Sequence, residues 1–99
     1  MITDVQKKDN WIIMYDSNGN EVRRIDGMAA TIAGFSGEIV IIRKKGWLIV
    51  YNEYFKEISK MSEIGKEFRG LDSKYFYVKS NGWIISYDKY CKEIKRHGV

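Results

Sequence analysis

The sequence predicts an all-β fold made of three β-meanders related by pseudo-threefold symmetry. Three observations carry that expectation. Trp11, Trp47 and Trp83 follow one another at a fixed step of 36 residues, the mark of a repeat architecture. Aligned on them, residues 47–61 match 83–97 at seven of fifteen positions, and residues 11–25 match 83–97 at seven. The chain also has no proline, and it is rich in Trp, Tyr and Phe. That composition suits ladders joined by tight turns, because proline cannot donate to a strand ladder.

Each unit opens with a short strand, at 2–7, 38–43 and 74–79. A two-residue turn follows at Asp9-Asn10, Lys45-Gly46 and Asn81-Gly82. Asn-Gly is the strongest such signal, since a type I′ turn needs positive φ at both positions. The second strand begins with the tryptophan. Its period-2 face is Trp, Ile, Tyr, and these residues are identical in all three units: Trp11/Ile13/Tyr15, Trp47/Ile49/Tyr51 and Trp83/Ile85/Tyr87. The opposite face, Ile12, Met14 and Asp16 in the first unit, is less constant. The turns "DSNG", "NEYF" and "DKYC" lead to a third strand, "NEVRRI", "KEISKM" or "KEIKRH", with an invariant Glu at 21, 57 and 93. A two-residue second turn would set Tyr15 opposite Val22, Tyr51 opposite Ile58 and Tyr87 opposite Ile94, aromatic against β-branched. Connectors at 26–36 and 62–72 carry Gly34 and Gly70 in register and are expected to supply a fourth strand. Residues 54–68 mimic a helical period but are read as strand.

The 99 residues make one domain of three repeats, approximately 1–36, 37–72 and 73–99. A single meander with one apolar face is not stable alone. Three are expected to bury their Trp-Ile-Tyr faces against one another around the pseudo-threefold axis, in a small propeller-like or trefoil-like arrangement. Pairing of two chains into a six-unit ring, a homo-dimer, is a further expectation.

The pattern W-I-x-x-Y-D-x-x-x-K-E-I, clearest in "GWIISYDKYCKEI", resembles small bacterial tandem-repeat β proteins of unassigned function, and more loosely the WG-type bacterial repeats. The resemblance covers residues 8–25, 44–61 and 80–97. The first copy departs with "DSNGNEV", and the second has Asn52 in place of Asp. It implies a β-repeat fold and brings no catalytic residues with it.

Composition narrows the function classes. Cys91 is the lone cysteine and His97 the lone histidine, so neither an intramolecular disulfide nor a Cys/His metal set is expected. A reducing, cytoplasmic compartment follows. "MITDVQKKDN" has no apolar core of a signal peptide, and the longest apolar runs, "WIIMY" and "WLIVY", are too short for a membrane span. A Cys91–His97 nucleophile–base pair is the nearest approach to a catalytic constellation, and its plainer reading is a turn cysteine and a solvated terminal histidine. Glu21, Glu57 and Glu93 would sit apart in three copies rather than pair. "DSNGNE" resembles the start of a calcium loop, with its glycine misplaced, and reads as a hairpin turn. No enzyme, metal or cofactor is therefore expected.

Three binding readings follow. Tyr54 and Phe55 in the second turn, Tyr90 in the third, and Tyr75 at a strand start lie outside the repeat consensus. Aromatics at turn tips are hard to bury, and exposed aromatic clusters mark interfaces, so these four are the expected contacts to another protein. Trp11, Trp47 and Trp83 begin apolar alternations and are expected in the core. If exposed, they would stack a sugar ring, giving a multivalent lectin-like protein. Arg24, Lys60 and Arg96 recur at one repeat position, with Lys8, Lys44 and Lys45 at hairpin tips. A basic rim with aromatics could hold single-stranded nucleic acid. With 13 acidic residues among 17 basic ones and a net charge of +4, a solvated rim that deters edge pairing is favoured.

Overall fold

The structure is a computed structural model that describes residues 1–98. Among the described residues, eleven strands and no helix build three antiparallel sheets. The first holds β1 (Asp4–Lys8), β2 (Trp11–Tyr15) and β3 (Glu21–Asp26). The middle holds β4 (Ala30–Phe35), β5 (Val40–Lys44), β6 (Trp47–Tyr51) and β7 (Glu57–Ser62). The third holds β8 (Glu67–Leu71), β9 (Tyr75–Ser80), β10 (Trp83–Asp88) and β11 (Glu93–Gly98). Strand order follows chain order throughout. The connector strands β4 and β8 pair with the strands that follow them, so the four-stranded units run 30–62 and 67–98.

The first hairpins form as their sequences require. Lys45 and Gly46 have φ of 51° and 82°, and Asn81 and Gly82 have 52° and 80°. These are the left-handed values a type I′ turn demands. In the first hairpin only Asp9 is left-handed.

The second turns differ from expectation. The Asp16 N–H donates to the Asn20 carbonyl and the Gly19 N–H to the Asp16 carbonyl; Asn52/Phe55 and Asp88/Cys91 repeat the pattern. Each loop therefore has three residues, the last of them left-handed: Gly19, Phe55 (60°) and Cys91 (61°). Such a loop forces a bulge, and the register shifts before each tyrosine. Tyr15, Tyr51 and Tyr87 consequently oppose Glu21, Glu57 and Glu93, not Val22, Ile58 and Ile94. The leading residue fixes the loop. Oδ1 of Asp16, Asn52 or Asp88 accepts two backbone N–H groups, two and four residues on. The "DSNG" stretch is thus a hairpin turn.

Packing is serial. One core cluster joins Val5, Ile12 and Met14 of the first sheet to Ala30, Val40 and Ile42 of the middle sheet. A second joins Ile39, Ile41, Leu48 and Val50 of the middle region to Phe76, Val78, Ile85 and Tyr87 of the third. The expected convergence of three Trp-Ile-Tyr faces on one axis is not what this packing shows. Ile85 and Tyr87 face the middle sheet, Tyr51 packs against the first cluster, and Ile12 and Met14 turn the opposite face of β2 inward. Each sheet lays its Trp-Ile-Tyr face on the other face of the sheet before it. The first sheet has no such neighbour for its own.

Phe55 corrects another expectation: it is 1% exposed, with its ring edge-on to Tyr51 at 5.1 Å between centroids. A left-handed backbone costs a non-glycine residue about 1–3 kcal/mol, and burying a phenylalanine returns a similar amount, about 1.5–3 kcal/mol. The left-handed twist is what turns the side chain from the turn tip back into the cluster. Phe55→Ala should destabilise the fold by about 3–5 kcal/mol, read as a fall in urea midpoint with unchanged slope. A change within 0.5 kcal/mol, the usual range for surface substitutions, would contradict this placement.

Candidate functional site

The turn at 88–91 builds a groove between the middle and third sheets. Cys91, left-handed, points its thiol back to the preceding sheet, where Ser59 Oγ lies 3.3 Å from Sγ and donates to the Lys89 carbonyl at 2.6 Å. Asp88 pairs with Tyr75 at the start of β9. On the opposite wall, Ser36 Oγ donates to the Ser73 carbonyl and ties the two loops together. The result is an open groove of about 370 Å³ lined by Glu38, Ile39, Ser73, Lys74, Tyr75, Asp88, Lys89 and Tyr90. Its charges balance, two acids against two lysines. Lys89 Nζ stands 5.4 Å over the Tyr90 ring.

Of the four expected contact residues, the structure brings Tyr75 and Tyr90 together in this groove. Tyr54 is well exposed but sits one sheet away, beside Glu53, whose carboxylate pairs with the Met1 amino group at 3.1 Å. Phe55 is core and leaves the set. Sequence reasoning missed Glu38, Ile39, Lys74 and Lys89. They are charged or apolar residues without a pattern, and only the neighbouring sheet gives them a common space. A second hollow of about 390 Å³ lies on the open face of the third sheet, among Asp72, Tyr75, Tyr77, Ser86, Ile94 and Lys95. There the Tyr77 hydroxyl donates to Asp72, which holds that carboxyl below its ordinary range.

The tryptophans are not core: each is between 40 and 45% exposed. Each sits at the tip of its hairpin, where the neighbouring sheet no longer reaches. Each carries the recurring cation on its ring: Arg24 at 5.5 Å from Trp11, Lys60 at 4.6 Å from Trp47, and Arg96 at 5.6 Å from Trp83. Two of these cations are clamped by the invariant glutamate. Arg24 makes two bonds to Glu21 (2.9 and 2.6 Å), and Arg96 two to Glu93 (2.8 and 2.5 Å). The three Trp–cation pairs stay on separate sheets. Lys8 lies over Tyr15, and Lys44 reaches Asp26 of the first sheet at 3.6 Å.

Cys91 is half-buried, and desolvation pushes its thiol up, with the Ser59 hydrogen bond acting against the shift. A raised thiol is a poorer nucleophile at neutral pH. His97 lies on the exposed edge strand β11, opposite Ile84.

Hydrogen bonding and charge from Arg24 and Arg96 lower the carboxyl pKa of Glu21 and Glu93. A lowered folded-state value means each clamp is complete above the ordinary glutamate range and is lost as pH falls through the lowered value. Tryptophan emission in single-Trp variants should therefore step on acidification below that range for Trp11 and Trp83. Trp47, whose lysine makes no such clamp among the described residues, should show no step. Equal steps at all three would contradict the assignment.

No protein-family model matches this chain, and no curated protein matches it. Among solved structures it is similar to BamB from Moraxella catarrhalis, a propeller protein, with a TM-score of 0.54 at 12% identity. The match covers 97% of this chain and 34% of that one, so the chain spans about a third of that protein's length. At this identity the likeness is one of fold: antiparallel sheets stacked face to face in sequence. No helix among the described residues is long and apolar enough to cross a membrane.

Proposed function

We propose that this chain is a non-catalytic protein-interaction module, made of three propeller-like repeats, that holds a partner polypeptide in the groove between its second and third blades. The observation that carries this reading is the meeting of Tyr75 and Tyr90 in one open groove beside two acid–lysine sets. Aromatic rings supply large contact area at low entropic cost, and mixed charges at a rim supply register rather than bulk attraction. A cytoplasmic setting fits the single half-buried thiol.

The lectin reading has less support, because a cation already occupies a face of each exposed tryptophan. Nucleic-acid binding has less support because Glu21 and Glu93 neutralise Arg24 and Arg96. Association of two chains into a six-blade ring has less support, because the faces that would meet present Asp4 and Gln6 on the first sheet and Tyr77 and Ser86 on the third.

The test is selection of phage-displayed peptides on the intact chain. Recovered binders should lose about 2 kcal/mol, roughly thirtyfold in Kd, against Tyr90→Ser or Tyr75→Ser. They should bind Tyr54→Ser unchanged. Binders indifferent to both groove substitutions would overturn the proposal. Glycan binding that vanishes with Trp47→Ala, or single-stranded DNA binding with a steep salt dependence, would replace it with one of the other readings.

A further inference from the structure

The first sheet has three strands where the other two have four. Its missing position is the inner one, which β4 and β8 fill in the middle and third sheets. The two-residue turn after β1 makes Lys8/Trp11, Gln6/Ile13 and Asp4/Tyr15 the hydrogen-bonded pairs of the β1–β2 ladder. The backbone groups of Val5 and Lys7 therefore point to the open edge. Their counterparts in the other sheets, Ile41 and Arg43 of β5 and Tyr77 and Lys79 of β9, are paired with β4 and β8. At the open edge the Val5 N–H is met instead by the neighbouring Asp4 carboxylate, Oδ1 at 2.9 Å, whose other oxygen accepts from Gln6 Nε2 at 2.6 Å. A local carboxylate stands in for a strand.

A second observation points to the same place. Leu71, at the end of β8, sits over the inner strand of the preceding sheet so closely that a Cβ on Gly34 would lie 2.5 Å from its Cδ2. Phe35 ends β4 as Leu71 ends β8, and the same step directs it over the inner position of the first sheet. There it is 37% exposed.

We infer that the edge of β1 is a strand-addition site for an extended segment of a partner polypeptide, distinct from the groove at Tyr75 and Tyr90. The two filled positions define the chemistry. "TIAGF" and "EFRGL" both place a hydroxyl or acidic residue opposite the cation (Thr31 on Arg43, Glu67 on Lys79), an apolar residue next, and a glycine at a bulge before a last apolar residue. The entering strand would set its acceptor on Lys7, its glycine on Val5 under Phe35, and its last apolar residue beside Asp4. Main-chain bonds would supply affinity, and the glycine and flanking apolar residues would supply selectivity.

The probe is a synthetic peptide of residues 66–72, KEFRGLD, added to the isotope-labelled 99-residue chain. Amide exchange at Val5 and Lys7 should slow by about tenfold or more at saturation. The same peptide carrying Gly70→Val should give no slowing, because Gly70 is at φ 151°, a conformation a β-branched residue does not adopt. A Lys7→Pro chain, checked for its far-UV circular dichroism, should lose the effect at Val5, since proline on an edge removes the outward donor and spares the ladder. Unchanged exchange at Val5 and Lys7, or equal slowing by the valine peptide, would overturn the inference. So would slowing without peptide that grows with protein concentration, which would give the edge to a second copy of the chain.

Discussion

The structure depends on one constraint: a small antiparallel sheet must cover each apolar face it carries, and a sheet with two such faces needs a neighbour on both sides. The middle sheet meets it fully. Leu48 and Val50 of β6 pack toward the third sheet and are wholly buried, while Ile49 on the other side of the same strand is nearly so. Ile12 and Met14 of β2 are buried against Val40 and Ile42 from one side only. The middle sheet is thus held from both sides, and the outer two each hold it from one. At about 25 cal/mol per Å² of apolar area, these two interfaces are the main source of stability in a chain this small.

The end faces are built for a different environment. Where the middle sheet presents Val40 and Ile42, the first presents Asp4 and Gln6. Where it presents Ile41 and Val50 on its other side, the third presents Tyr77 and Ser86. Ile13 is still 4% exposed on the open side of β2, between Gln6 and Arg24. Long polar side chains can cover apolar surface while their heads remain in water. Terminal units of a stacked array commonly carry such polar outer faces. The Arg24 and Arg96 clamps belong to the same design, holding a cation flat on an exposed tryptophan.

Links between sheets are made by the left-handed turn residue as well as by the strands. Phe55 plugs the interface with the first sheet, and Cys91 meets Ser59 across the next. At the same position Gly19 has open space around it. Forward links run the other way: Lys7 donates to the Ala30 carbonyl, and Arg43 binds Glu63 at 2.8 Å. The groove at Tyr75 and Tyr90 is a consequence of these links. The turn that leans back to place Cys91 also lifts Asp88, Lys89 and Tyr90 beside the neighbouring loop.

The sequence by itself determined where the strands lie, where the chain turns, and that the connectors supply a fourth strand. Alternation, the two-residue turns and the 36-residue step are local properties, and local sterics enforce the first two. It did not determine which face of β2 and β6 meets which neighbour, because both are apolar: Trp-Ile-Tyr on one side, Ile-Met or Leu-Val on the other. Parity separates two faces without ranking them, and only the position of the neighbouring sheet does that. The tryptophans, expected inside, lie at the hairpin tips, although the Ile and Tyr that share their face are covered in the middle and third sheets. Phe55, expected outside on a turn, lies in the core, because a left-handed backbone value reverses the direction a turn residue would otherwise take. The register at the tyrosines followed from a three-residue loop that "NEYF" and "DKYC" conceal, having no glycine to announce it. Tyr75 and Tyr90 could be named from sequence as unexplained aromatics, but their meeting belongs to the tertiary structure, since the space between them is formed by residues from two sheets.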